Sequence, residues 1–198
     1  MRALVFDLDG TLLQYSRDYE DLITASFEDV CGSVQEPWLE TYNETFFEEF
    51  AACNADPVER AFESTGAPGD ADKFAQRLHD AEIAATVSPT EAHADLERLG
   101  EEFALAVLTN GLPDWQRGKL AASDLDSYFD AVVTSFDVGA HKPDPEPFRE
   151  VERRIDADGY AMIGDSDDDV DGAEAAGWES LRYDGGRLGD VPAALDWI

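Results

Sequence analysis

Short apolar runs of strand length alternate with amphipathic helical patterns along most of this chain. The runs cover residues 3–6, 103–108, 131–133 and 160–163. Strands that alternate with helices in this way predict a parallel sheet covered by helices on both faces. Right-handed crossover connections then leave few topologies. We therefore expect an α/β fold built on a doubly wound, Rossmann-like parallel sheet.

One long segment interrupts this alternation. Residues 14–85 carry four successive helical patterns, each with its own apolar stripe. An insertion of this kind predicts a helical cap domain at 14–85, joined to an α/β core formed by residues 1–13 and 86–198. We expect the aromatic residues of its second helix, Tyr42, Phe46 and Phe50, to pack in the core of the helical domain.

The first helix after the insertion carries a start signal. Ser88 and Glu91 have the spacing of a capping box, and Pro89 suits the first position of a helix. The apolar stripe of the helix begins at Ala92. The pattern therefore predicts a helix that Ser88 caps and that begins at Pro89.

The charge of the chain is extreme, with 45 acidic against 14 basic side chains and a formal net charge of -31. The acids are dispersed through every predicted helix, which is typical of a solvated globular surface rather than a disordered tail. Salt makes such self-repulsion tolerable, since the Debye length is about 3 Å at 1 M salt. We expect a halophilic protein that does not bind nucleic acid, because a polyanion would be repelled.

Other features of the sequence favour a soluble cytoplasmic location. The N-terminal apolar run is too short for a signal peptide, and no later run is long enough to span a bilayer. Cys31 and Cys53 are too few for a disulfide framework, so we expect two reduced core thiols.

Polar residues that can carry chemistry follow each of the four predicted strands. They are Asp7 and Asp9 after the first strand, Thr109 and Asn110 after the second, Lys142 in the loop after the third, and Asp165 with Asp169 after the fourth. In an open parallel sheet, ligands bind outside the carboxyl ends of the strands. We therefore expect these side chains to converge on one crevice.

The residue types in this set suit phosphoryl transfer assisted by a divalent cation. Carboxylates gathered in one place repel one another unless a cation lies among them, and hard oxygen ligands favour Mg²⁺. With Mg²⁺ bound, one carboxylate can attack phosphorus while a second moves a proton. Thr109 and Asn110 can hold phosphoryl oxygens, and Lys142 supplies a fixed positive charge.

In order, strand placement and spacing, these residues resemble the four motifs of the haloacid dehalogenase-like hydrolase superfamily. The matching stretches are Asp7-Leu8-Asp9-Gly10-Thr11, Thr109-Asn110-Gly111, Lys142-Pro143, and Gly164-Asp165-Ser166 with Asp169. The resemblance implies that Asp7 is the nucleophile that forms an aspartyl-phosphate and that Asp9 is the acid/base. The helical insertion is similar to the smaller helical cap of that family.

The resemblance also implies roles for the other motif residues. Thr109, Asn110 and Lys142 would bind the phosphoryl group. The implied magnesium ligands are Asp7, Asp9 through its backbone carbonyl, Asp165, and Asp169 directly or through water. Family members that cleave carbon–halogen bonds usually lack an acid two residues after the nucleophile, so Asp9 indicates phosphoryl transfer.

Several functions remain open at the level of sequence. The first is a phosphatase for a small phosphorylated metabolite, and the second is a phosphotransferase such as a sugar phosphomutase. A dehalogenase and a catalytically silent binding module are less favoured. Neither the substrate nor the oligomeric state is encoded in a recognisable motif.

Several further acids surround the fourth motif. The stretch from Asp167 to Asp171 matches the opening of a calcium-binding EF-hand loop, but its twelfth position is Trp178 rather than an acid. We interpret the surplus acids Asp167, Asp168 and Asp171 as solvated surface.

Five other residues lie near the motifs in the sequence. Tyr15 and Arg17 follow the first motif and either touch the substrate or occupy a hinge or surface position. His141 precedes Lys142 and either steers the substrate or makes a structural hydrogen bond. Arg117 and Lys119, on the helix after the second motif, are interpreted as surface residues.

Overall fold

The computed structural model describes residues 1–197, and the chain divides into two compact units. One unit comprises Met1–Gln14 and the chain from Val87 onward, and the other comprises Tyr15–Thr86. The strands are β1 (Ala3–Phe6), β2 (Gln14–Tyr15), β3 (Thr86–Val87), β4 (Ala104–Thr109), β5 (Ala131–Thr134), β6 (Tyr160–Gly164) and β7 (Glu179–Arg182). The helices are α1 (Tyr19–Cys31), α2 (Glu36–Ala51), α3 (Pro57–Ser64), α4 (Ala71–Ala85), α5 (Ala92–Gly100), α6 (Pro113–Ala122), α7 (Ser135–Val138), α8 (Pro145–Arg154), α9 (Asp167–Ala176) and α10 (Val191–Ala194).

A five-stranded parallel sheet forms the centre of the first unit. Its strand order is β5–β4–β1–β6–β7, so β1 pairs with β4 on one side and with β6 on the other. This register sets Phe6 level with Val107 and Ile163, and the carboxyl ends of the three strands therefore lie at one edge of the sheet. The predicted α/β class with a parallel sheet is confirmed.

Helices cover both faces of this sheet. Alternate residues of a strand point to opposite faces. Ala3 and Val5 accordingly join an apolar cluster with residues of α8 and α9, whereas Leu4 and Phe6 join a cluster with residues of α5 and α6. Because both faces are covered, all of β1 is buried and reads as a continuous apolar run. The doubly wound arrangement is confirmed.

The fifth strand, β7, is not predicted by the sequence pattern. It pairs with β6 only and forms an edge of the sheet, where Glu179 and Arg182 are exposed. A strand at an edge can keep polar side chains, so β7 lacks the buried apolar run that marks the other four. Its position is decided by pairing with β6, which a local pattern does not report.

The predicted start of α5 is wrong. The helix begins at Ala92, its N-cap residue is Glu91, and no side chain caps it. The backbone N–H of Ala92 donates to the carbonyl of Pro89 at 3.0 Å, which closes a turn before the helix. Ser88 follows the short strand β3 directly, so the chain is still leaving that strand where the capping box was expected.

The four predicted helices of the second unit are confirmed as α1–α4. They pack around Phe27, Phe62 and Phe74, whose ring centroids lie 5.1 to 5.3 Å apart. Tyr42 of α2 is buried, as expected, but Phe46 and Phe50 are only half-buried and pack against each other. The core prediction for α2 therefore holds fully only for Tyr42.

Both cysteines are free, as expected, but neither lies in the core. Cys31 is the last residue of α1 and Cys53 follows α2, and both are half-buried because helix ends lie near the surface of this small unit. Within residues 1–197, no helix combines the length and the apolar character needed to cross a membrane.

Candidate active site

Asp7 follows β1 directly and lies at the carboxyl edge of the sheet, with 7% of its surface exposed. Its backbone N–H donates to the carbonyl of Ile163 at 2.8 Å, which continues the pairing with β6 and holds the residue at the strand end. One of its carboxylate oxygens accepts a hydrogen bond of 2.6 Å from the Lys142 ammonium. The structure thus brings together two motif residues that lie 135 positions apart in the chain.

Lys142 is buried and uses its ammonium group on three acceptors. Besides Asp7, it donates to a carboxylate oxygen of Asp169 at 2.5 Å and to the carbonyl of Leu108 at 2.9 Å. Asn110 holds the backbone of Lys142 from both sides, because its side-chain oxygen accepts from the Lys142 N–H at 2.8 Å and its amide donates to the Lys142 carbonyl at 3.1 Å. Asn110 therefore places the lysine between the two carboxylates.

Burial and the charges of this cluster raise the pKa values of both Asp7 and Lys142. Burial raises the pKa of the Asp7 carboxyl from its ordinary 3.8 to about 7; the charge of Lys142 opposes the rise and that of Asp169 adds to it. Burial by itself lowers the pKa of Lys142, but the charges of Asp7 and Asp169 outweigh it and hold that pKa above its usual range. Lys142 is consequently a fixed cation at neutral pH.

Asp7, Asp165 and Asp169 form a group whose ligand oxygens lie within 4.8 Å of one another. In a capping box at the start of α9, the backbone N–H and hydroxyl of Ser166 both donate to one oxygen of Asp169, at 3.1 and 2.6 Å. Thr11 donates to Asp165 at 3.2 Å. Three carboxylates with hard oxygen donors and no sulfur suit Mg²⁺, so the donor set fits the implied metal.

Two glycines make room for these carboxylates. A Cβ atom at Gly10 would lie 2.4 Å from a carboxylate oxygen of Asp165, and one at Gly164 would lie 2.3 Å from the carboxyl carbon of Asp169. Gly10 also has a φ of +91°, a backbone conformation that L side chains rarely adopt. Both motif glycines are therefore required by close approach of an acid.

The side chain of Asp9 contacts a different set of residues. Both of its carboxylate oxygens lie 2.7 Å from the ammonium of Lys119, and one also accepts from the amide of Gln116 at 2.9 Å. Lys119 is 2% exposed, so its interpretation as a surface residue is wrong, whereas Arg117 is exposed as expected.

Gln116 is a site residue that the sequence analysis missed. It is buried on α6 and donates to the hydroxyl of Thr109 at 2.7 Å as well as to Asp9. Its helical phase carried a signal, since positions 116, 119 and 120 share one face of α6 and Leu120 is a core residue. Residues on that face had to point inward, and their polar character then required partners.

The remaining candidates lie elsewhere. Asp167, Asp168 and Asp171 are exposed, as expected, and they belong to the regular helix α9 rather than to a calcium-binding loop. Arg17 is exposed, and Tyr15 donates to the buried Glu82 at 3.0 Å within the helical unit.

His141 is half-buried, and its ring lies edge-on to Phe136 at a centroid distance of 5.7 Å. The geometry of the cluster around Asp7 assigns it no task.

The raised pKa of Asp7 predicts that this residue destabilises the metal-free fold at alkaline pH. Between pH 3.8 and about 7 the folded protein binds more protons at Asp7 than the unfolded chain, so the free energy of unfolding falls as the pH rises through this window. The full cost, at most about 4 kcal/mol, is present at pH 8. Asp7→Asn should therefore raise the Tm at pH 8 more than at pH 5.

Thermal melts of wild type and variant in molar KCl with EDTA measure this difference. Subtracting the two Tm values at each pH cancels the titration of the other acids. Asp167→Asn is the matched control, because Asp167 is exposed and its removal should change Tm little at either pH. A shift for Asp7→Asn that is the same at pH 5 and pH 8 would contradict the prediction.

Comparison with known proteins identifies relatives of this chain. Residues 1–177 match the family model of the haloacid dehalogenase-like hydrolases. The chain is 34% identical over 232 aligned residues to the phosphoserine phosphatase of Thermus thermophilus, which covers 98% of this chain and 93% of that protein. It is 30% identical over 183 residues to the pyrophosphatase PpaX of Bacillus velezensis, which covers 88% of this chain and 79% of that protein.

Solved structures share the fold. The hydrolase YfnB from Bacillus subtilis, in a crystal form bound to magnesium, matches with a TM-score of 0.72 at 23% identity over 98% of both chains. A 2-haloacid dehalogenase from Pseudomonas syringae pv. tomato matches with a TM-score of 0.70 at 25% identity, over 99% of this chain and 98% of that one. The family model covers most of the chain and a relative exceeds 30% identity, so the chain belongs to the haloacid dehalogenase-like hydrolases and is an enzyme of that family.

Proposed function

We propose that this protein is a Mg²⁺-dependent phosphatase that hydrolyses a small phosphorylated metabolite through an aspartyl-phosphate on Asp7. The observation that carries the proposal is the buried Asp7 carboxylate, bound by Lys142 and grouped with Asp165 and Asp169. A second acid, Asp9, follows two residues later. Two relatives bear the names phosphoserine phosphatase and pyrophosphatase, which supports phosphoryl transfer over carbon–halogen cleavage.

In the first step, an oxygen of Asp7 attacks the phosphorus of the substrate. The bond from phosphorus to the leaving oxygen breaks as the bond to Asp7 forms, and the carboxyl of Asp9 gives its proton to the leaving oxygen. Lys142, 2.6 Å from Asp7, stabilises negative charge on the phosphoryl oxygens. The dephosphorylated product leaves, and Asp7 carries the phosphoryl group.

In the second step, water attacks the phosphorus of the aspartyl-phosphate and gives its proton to Asp9, which is now a carboxylate. The bond between phosphorus and Asp7 breaks, which restores Asp7 and releases inorganic phosphate. The Thr109 hydroxyl accepts from Gln116 and keeps its own proton to donate to a phosphoryl oxygen. The Asn110 amide has a second N–H beyond the one that donates to the Lys142 carbonyl.

The carboxylates of Asp7, Asp165 and Asp169, with the backbone carbonyl of Asp9, are the proposed ligands of Mg²⁺. When bound, this ion supplies charge that neutralises both the nucleophile and the phosphate. The domain boundaries, 1–13 with 86–198 for the core and 14–85 for the helical domain, are part of the same proposal. In it, the helical domain serves as the cap that selects the organic part of the substrate.

Hydrolysis of 4-nitrophenyl phosphate in molar KCl, with Mg²⁺ or with EDTA, tests the proposal. Phosphate release that needs Mg²⁺ is expected, and phosphoserine and pyrophosphate then serve as the first natural candidates. A sugar phosphate that isomerises without phosphate release would favour a phosphomutase. Chloride release from 2-chloropropionate by a folded protein that is inactive on every phosphate would replace the proposal with a dehalogenase.

The acidic composition leads us to propose a halophilic protein of a high-salt cytoplasm. Screening of 45 acidic side chains should raise the Tm by about 10 °C or more between low salt and molar KCl. Thermal melts at matched pH measure the rise in Tm. Sucrose at equal osmolality is the control, because it also stabilises proteins by exclusion from their surface but does not screen charge. A Tm that is unchanged by KCl would refute the salt adaptation.

A further inference from the structure

We propose that Lys119 and Gln116 are positioning residues that hold the side chain of Asp9, so that its carboxyl group can give a proton to the leaving oxygen and its carboxylate can then take one from water. The inference rests on the proposed phosphatase function, because it assigns a task to residues that contact the proposed acid/base. Neither residue belongs to the four motifs by which the chain is recognised, and both lie on α6.

The geometry around Asp9 is that of a fixed side chain. The ammonium of Lys119 is 2.7 Å from both carboxylate oxygens, and the amide of Gln116 is 2.9 Å from one of them. Three contacts from two donor groups define both the position and the rotation of the carboxylate. A carboxylate has about four acceptor positions, so a position is left for the proton that Asp9 passes to the leaving oxygen.

Burial distinguishes this contact from an ordinary surface ion pair. The side chain of Lys119 is 2% exposed, whereas that of Asp9 is 31% exposed. An exposed pair is held weakly because both side chains move and water screens them. Here the cation is fixed by the core of the fold, and Asp9 is the member that reaches the solvent side. Lys119 therefore restricts the movement of the Asp9 side chain, rather than the reverse.

Gln116 connects Asp9 to the proposed phosphate-binding residue Thr109. The same amide nitrogen donates to Asp9 and, at 2.7 Å, to the hydroxyl of Thr109. Gly111 makes this position available, because a Cβ atom there would lie 2.7 Å from the side-chain amide carbon of Gln116. A single buried amide thus sets the distance between the acid/base and the hydroxyl at the end of β4.

The charge composition gives independent support. The chain has three lysines, Lys73, Lys119 and Lys142, against 45 acidic residues. Two of the three are buried against acids of the motif that follows β1, namely Lys142 against Asp7 and Lys119 against Asp9. A buried ammonium carries a large desolvation cost, and each of these two lysines offsets that cost through its ion pair with an acid of the motif.

The dependence of rate on the leaving group tests this inference. A poor leaving group needs the proton from Asp9 as it departs, whereas 4-nitrophenolate leaves without one. Lys119→Met should lower kcat/KM for ethyl phosphate by about 10²-fold and that for 4-nitrophenyl phosphate by less than about 3-fold. When phenyl phosphate is added to the series, kcat/KM of Lys119→Met should depend more steeply on the pKa of the leaving group than kcat/KM of wild type does.

Three further variants sharpen the test. Gln116→Leu should show the same pattern with a smaller loss, and it keeps the inference testable if Lys119→Met fails to fold. Lys119→Arg should recover part of the loss, since it restores a buried cation. Arg117→Met, an exposed change on the same helix, should leave the series unchanged.

Combination with Asp9→Asn separates positioning from stability. If Lys119 acts through Asp9, Lys119→Met should cost almost nothing further in the Asp9→Asn background. Equal losses on all leaving groups, or full additivity, would show that Lys119 only supports the fold and would overturn this inference while the phosphatase function stands. A folded wild type that hydrolyses no phosphate monoester would instead overturn the proposed function and this inference with it.

Discussion

Asp7→Asn should lower kcat for phosphate release by at least about 10⁴-fold. Asparagine has nearly the shape of aspartate, so the side chain keeps its place at the end of β1. Its amide has no anionic oxygen to attack phosphorus, and no covalent intermediate can form. Lys142 and the other two carboxylates stay in the site, so the loss reports the nucleophile rather than a collapse of the cluster.

Phosphate release from 4-nitrophenyl phosphate at saturating Mg²⁺ measures this loss. Acid quenching during turnover followed by mass spectrometry should show a wild-type chain heavier by one phosphoryl group, and no such species in the variant. Asp167→Asn is the matched control, because it makes the same substitution at an exposed acid, the first residue of α9. Wild-type activity in Asp7→Asn would remove Asp7 as the nucleophile.

Lys142→Met has the second largest expected effect, and it acts on both activity and stability. The variant leaves the carboxylates of Asp7 and Asp169 buried together without their shared cation. Breaking a buried ion pair by removing one partner costs about 3–5 kcal/mol. The loss of a fixed donor to the phosphoryl oxygens should lower kcat by about 10³-fold.

The stability loss in Lys142→Met should depend on pH and on metal. Protonation of Asp7 removes one of the two charges, so the variant should lose more Tm at pH 8 than at pH 5. Mg²⁺ should recover part of the loss at pH 8, because it restores positive charge among the carboxylates. Lys73→Met, which removes an exposed lysine, should show none of these effects. A Lys142→Met variant as stable as wild type in EDTA would contradict this account.

The convergence of the motif residues followed from one rule about parallel sheets. Asp7 and Asp165 each follow a strand, and parallel strands end at the same edge, so their meeting could be expected without any contact being known. The resemblance to a family supplied the roles, and the family is confirmed by the comparison with relatives. The roles of the individual residues remain predictions.

The misinterpretation of Lys119 has a clear cause. Residue type favours the surface for a lysine, whereas the helical phase of Lys119 places it with Leu120 on the inward face of α6. Residue type predicts burial less well than helical phase when a charged partner lies far along the chain. Asp9, the partner of Lys119, lies 110 positions away. The missed strand β7 has the same origin, since only its pairing with β6 makes it a strand.

Local sequence patterns were enough to identify the α/β class, four of the five strands of the main sheet, the four helices of the insertion and the order of the motifs. These depend on periodicities and turn residues within a few positions of one another. Contacts across the fold place Lys142 between Asp7 and Asp169, and they bring Lys119 and Gln116 to Asp9. The partners that bind these acids lie far along the chain, and burial raises the pKa of Asp7. Neither the distant contacts nor the burial can be read from a local sequence pattern.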